Sequence, residues 1–128
     1  MNISTEATSL ANTRKHVVRG VIDVEDLKAF LGGVYRNSDQ ASTLHALWDL
    51  RDVDFSSISA ESARAVMGFV AQRRGEGDGR VAVVVSSDLE FSKSRTYQSI
   101  LDGAISGKVE VFRHLVDAEK WIGSESQA

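Results

Sequence analysis

The run Val81-Ala82-Val83-Val84-Val85 limits the fold of this chain more than any other segment. Five consecutive apolar, mostly β-branched residues leave no polar face to turn toward water, so a strand built from them is covered on both sides. Double coverage is typical of parallel sheets, whose crossover helices pack against the faces. The neighbouring segments agree. Residues 17–22 read as a short β-branched strand. Asp23 then caps a helix in which Val24, Leu27, Leu31 and Val34 recur at helical spacing. Residues 44–50 form a second strand with apolar side chains in both alternating sets. Residues 51–54, Arg-Asp-Val-Asp, read as a charged turn, and the serines beyond it open a helix over 60–74.

After the glycine-rich turn at 73–80 and the strand at 81–85, Ser87 and Glu90 match a capping box. The helix they open presents Phe91, Tyr97, Leu101, Ala104 and Ile105 on one side. A fourth strand spans 109–112. The last helix, 115–122, carries Leu115, Ala118, Trp121 and Ile122 on one face and stops at Gly123. Four β-α repeats in succession predict an α/β fold with a mainly parallel four- to five-stranded sheet. Residues 1–15 lack any sustained period and are expected to be a mobile leader. Residues 16–123 would form a single domain, followed by a tail at 124–128.

A chain of 128 residues suits one domain and can bury a core without staples. It contains no Cys, which excludes a disulfide scaffold, a thiolate zinc site and a cysteine nucleophile. The net charge of −3 leaves no basic footprint for nucleic acid. No apolar run approaches the roughly 20 residues of a membrane span, and the polar start does not read as a secretory signal. A cytoplasmic protein with no cofactor is therefore expected.

The residues most suited to chemistry gather where strands end. In an open α/β sheet, ligands bind at the carboxyl ends of the strands. If the second and third predicted strands are neighbours, Asp49, Arg51, Ser56, Ser57 and Ser59 face Ser86, Ser87 and Asp88 across one edge. Hydroxyls and helix N-termini there suit a polar ligand or a phosphate, although helix capping is the simpler account of each serine. Arg95 can clamp a carboxylate or phosphate, or pair with a surface acid such as Asp88. Tyr97 reads as a packed aromatic with its hydroxyl at the rim. Gly75, Gly77 and Gly79 precede a strand, the wrong context for a phosphate-cradling loop. His16, His45 and His114 have no metal-ligand spacing, and no nucleophile elbow occurs.

The segment Leu47-Trp48-Asp49-Leu50-Arg51-Asp52-Val53-Asp54-Phe55 resembles the strand-turn signature of SpoIIAA-like, or STAS-type, domains. More broadly, residues 17–122 resemble a family of small bacterial SpoIIAA-like proteins of uncharacterised function. The carrying residues are Asp49-Leu50-Arg51, 80–85, 91–97, Val109-Glu110-Val111-Phe112-Arg113 and Ala118-Glu119-Lys120-Trp121. The resemblance implies a four-fold β-α superhelix, shared more distantly with lipid-transfer domains of the CRAL-TRIO type. Regulatory members carry Asp-Ser-x-Gly at the helix start, with the serine phosphorylated by a partner kinase. Here Ser57, Ile58 and Ala60 stand at the aspartate, the serine and the glycine, so the usual phosphoacceptor motif is missing unless Ser57 or Ser59 replaces it.

Together these readings predict a noncatalytic regulatory or protein-interaction module with a protein partner, and its small size is compatible with a homodimer. A small-ligand carrier for a lipid or acidic metabolite is the alternative, motivated by Phe91, Arg95, Tyr97 and Trp121. A hydrolase using Ser57, Ser59 or Asp49 is the third.

Overall fold

The computed structural model describes residues 1–34, 44–54, 61, 65, 79–86 and 109–125. Among the described residues, five strands form one sheet in the order β1-β2-β3-β4-β5: Asn2–Glu6, Thr13–Val21, His45–Asp54, Val81–Val84 and Val109–Phe112. β2 through β5 are mutually parallel, and β1 pairs antiparallel with β2 at one edge. Helix α1, Val24–Val34, connects β2 toward β3, and helix α2, Leu115–Glu125, follows β5. The expected helices over 60–74 and 87–105 lie outside the described residues, except that Glu61 and Ala65 are helical.

The two faces of the sheet carry separate cores. On one, Leu27 and Leu31 of α1 pack over Val18, Ala46, Trp48, Val53, Val81 and Val109. On the other, Ala118 and Ile122 of α2 cover Leu47, Ala82 and Val84. β4 lies between β3 and β5 and feeds both cores, which is why its sequence has no polar face. At roughly 25 cal/mol per Å² of apolar surface removed from water, these layers supply the main force holding the sheet.

Local signals behave as the sequence predicts at several points. The Asp26 amide donates to the Asp23 carboxylate at 3.1 Å, so Asp23 is the N-cap of α1. Others need correction. The segment 1–15, expected to be a mobile leader, contains β1 and the start of β2. Its polar residues show no period of their own; they become a strand by taking the free backbone edge of β2. β2 accordingly begins at Thr13, four residues before expectation, because β3 pairs with it from Thr13 and β1 from Lys15. α2 runs through Gly123 to Glu125. Arg80 Nη1 and Ser124 Oγ both donate to the Trp121 carbonyl at 2.7 Å, satisfying a last-turn acceptor that would otherwise be orphaned.

The charged turn expected at 51–54 is the second half of β3. Val17 pairs with Asp49, but Arg19 pairs with Asp52, so Leu50 and Arg51 together oppose Val18. This bulge gives β3 one extra residue and resets its alternation. Val53 thereby joins Ala46 and Trp48 in the α1 core instead of pointing to the opposite face.

Candidate functional site

Parallel strands bring the ends of β3 and β4 to one edge of the sheet. Asp49 is the key residue there. Its neighbours across the sheet are Val17 on β2 and Val84 on β4, both buried, and Asp49 is itself only 6% exposed. A carboxylate between two valines needs a partner, since an unpaired buried charge is strongly unfavourable. Arg51 supplies it. Its Nε donates to Asp49 Oδ1 at 2.8 Å and its Nη2 to Oδ2 at 2.7 Å, and its backbone amide donates to Oδ1 at 3.2 Å. The bulge places that amide and side chain within reach of one carboxylate.

Hydrogen bonds from Arg51 hold the Asp49 carboxyl below its ordinary value, outweighing burial, which pushes it up. The fork-to-fork geometry fixes the guanidinium plane. Arg51 nevertheless keeps 44% of its side chain exposed, and its Nη1 makes no hydrogen bond among the described residues. Glu119 of α2 and Asp52 lie close enough to act on it electrostatically. Asp52 also meets Arg19 across the β2–β3 ladder at 3.7 Å, an exposed pair of little energetic weight.

Of the residues the sequence nominates, Asp49, Arg51 and Ser86 lie within the described part. Ser86 is exposed and stands two residues beyond Val84, the β4 partner of Asp49, so all three share the strand-end edge. Ser56, Ser57, Ser59, Ser87, Asp88, Arg95 and Tyr97 lie outside the described residues. Trp121, named for the ligand-carrier reading, is engaged structurally: Phe112 packs against it at 5.7 Å and the Arg80 guanidinium lies 4.9 Å from its ring centroid. Among the described residues no group of three His, Asp or Glu side chains could hold a metal ion, and no helix is long and apolar enough to cross a membrane.

Sequence reasoning passed over His16 as a site residue. It is 1% exposed, with Trp48 at 4.5 Å and Phe30 at 5.5 Å between ring centroids. Nδ1 shares a hydrogen bond with Thr5 Oγ1 at 3.0 Å, and Nε2 has no partner among the described residues. Burial, aided by the nearby Arg14 charge, lowers its pKa to about 4. The available signal was a polar residue in the same alternating set of β2 as Val18. His45 plays a plainer part. Its Nδ1 accepts the Arg80 amide at 2.9 Å, tying the start of β3 to the start of β4.

A mainly parallel sheet with one antiparallel edge strand, layered by helices on both faces, defines an α/β domain that gathers charged residues at its strand ends. The specific match is to a known fold. The chain is similar to an uncharacterised protein from the DUF3478 family, with a SpoIIAA-like fold, from Shewanella loihica PV-4. The TM-score is 0.60 at 19% sequence identity, covering 94% of this chain and 92% of that one. This protein has a SpoIIAA-like fold. No family model matches the sequence, and no curated protein matches it.

Proposed function

We propose that this protein is a noncatalytic regulatory or protein-interaction module that docks a partner through the strand-end edge carrying Arg51. The observation that supports this reading is a half-exposed guanidinium whose orientation is set by a buried carboxylate. Two of its five N–H donors are spent on Asp49, which leaves three to meet a partner's carboxylate or carbonyl groups. A preorientated arginine loses little freedom on binding, and arginines of this kind often dominate interfaces. Ser86 on the same edge adds a polar rim. The SpoIIAA-like fold is compatible with the reading without specifying the partner.

The test is quantitative binding. Proteins captured by wild type from a lysate of the native host are purified and titrated against wild type, Arg51→Ala and Arg51→Lys. A partner that loses about tenfold or more in affinity with both variants supports docking through the fork of Arg51, since a lysine keeps the charge but not the geometry. If every purified partner binds all three forms equally, the docking surface is elsewhere.

A further inference from the structure

Thr5 and His16 are register partners on β1 and β2, and their side chains are hydrogen-bonded at 3.0 Å. His16 is enclosed by four elements. β1 contributes Thr5, α1 contributes Phe30, β3 contributes Trp48, and β2 contributes Arg14 two residues earlier. Arg14 is the charged group that acts on the ring, and it repels a second cation. The ion pair of Lys15 with Glu6, at 3.7 Å, also joins β2 to β1, and alternation puts Lys15 on the opposite face of the sheet from His16.

A neutral imidazole fits this enclosure. An imidazolium does not, because its Nε2–H has no acceptor among the described residues and its charge is out of reach of water. A protonated ring therefore has to be opened to solvent, and the wall that yields is the one holding least. α1 anchors itself with the buried Leu27 and Leu31, and β3 is the middle strand of the sheet. β1 is an edge strand of five residues, Asn-Ile-Ser-Thr-Glu, whose contribution to the core is the partly buried Ile3. Edge segments with few apolar contacts open at lower free energy than core strands.

We propose that the Thr5–His16 contact latches β1 onto the sheet and that a proton on His16 releases this strand while β2 to β5 stay folded. Release bares the backbone edge of β2 from Lys15 to Arg19, the residues that β1 pairs. This device stands apart from the Arg51 edge and does not depend on it.

Amide hydrogen exchange of the full chain at pH 7.5 and pH 5.0, read by NMR and corrected for intrinsic rates, tests the latch. A closed-state value of about 4 and an open-state value near the ordinary 6.5 imply that the opening equilibrium of β1 rises roughly 30-fold over that interval. The protected β1 amides should lose protection by that factor, while Ala82 and Val84 keep theirs. His16→Phe should remove the pH response. Thr5→Val should lower β1 protection already at pH 7.5 and move the His16 titration upward, which keeps the test decisive if His16→Phe does not fold. Glu6→Gln should retain the response. Equal loss at β1 and β4, no loss in wild type, or a response abolished by Glu6→Gln overturns the proposal.

Discussion

Arg51 Nη2 donates to Asp49 Oδ2 at 2.7 Å where β3 carries one residue more than β2 beside it. The bulge and the ion pair are one feature: the bulge positions Arg51, and Arg51 makes the burial of Asp49 tolerable. Between Val17 and Val84, an unpaired aspartate would be among the least favourable residues in the sheet.

Arg51→Ala is expected to destabilise the fold by about 1–2 kcal/mol, reduced from the full worth of a buried pair because Arg51 is substantially exposed. Asp49 also sets an acid limit. Its folded pKa lies below the ordinary 3.8, so the folded state holds the proton less tightly than the unfolded state. Its stabilising contribution is complete above that value and is lost as pH falls through the folded one. Urea titrations from pH 5 to pH 2 should show this slope in wild type and a shallower one in Arg51→Ala.

His16 acts at a higher pH. Its folded value of about 4 lies below the ordinary 6.5, so the unfolded chain takes up a proton first as pH drops. Stability is full above 6.5 and declines between there and 4. Between pH 7.5 and 5.5 the loss is about 1.4 kcal/mol, one tenfold change in the unfolding equilibrium. Chemical denaturation at those two values measures it, and His16→Phe should flatten the difference.

Arg80 ties the start of β4 to the last turns of α2, about forty residues further along the chain. Its Nη1 reaches the Trp121 carbonyl and Ser124 Oγ at 2.7 and 3.0 Å, and its guanidinium stacks on the Trp121 ring. A cation at a helix C-terminus also complements the dipole. Arg80→Ala is expected to cost about 1–3 kcal/mol and to fray the last turn of α2. Exchange at the α2 amides should rise more than at α1. Arg80→Lys should recover only part of the loss, because lysine cannot present the flat guanidinium face that stacks on Trp121.

Asp23→Ala removes the N-cap of α1 and should lower stability by about 1 kcal/mol, whereas Asp23→Ser should be nearly neutral. Thermal unfolding of the two variants side by side distinguishes a capping role from a general charge effect.

Periodicity carried much of the described fold. Val81-Ala82-Val83-Val84 announces a strand covered on both faces, and it is one. Leu27 and Leu31 mark the inner face of α1, as Ala118 and Ile122 mark that of α2. The errors lie where pairing overrides local character. The polar β1 has no signal apart from the edge it occupies, and residues 51–54 look like a turn until the bulge returns Val53 to the core. The candidate site was legible as residue types at a strand end. The bidentate geometry of Asp49 with Arg51 was not, because it depends on that bulge.

By itself, then, the sequence determined the α/β class, the parallel order of its strong strands, the cap at Asp23 and the inner faces of both described helices. Each follows from interactions between residues close along the chain or from a period in apolar side chains. Only the tertiary structure decided that β1 joins the sheet, that Asp49 is buried yet paired, and that His16 sits sealed between Thr5, Phe30 and Trp48. Those outcomes rest on which backbone edges and side chains meet across strands far apart in sequence, and no local pattern encodes such meetings.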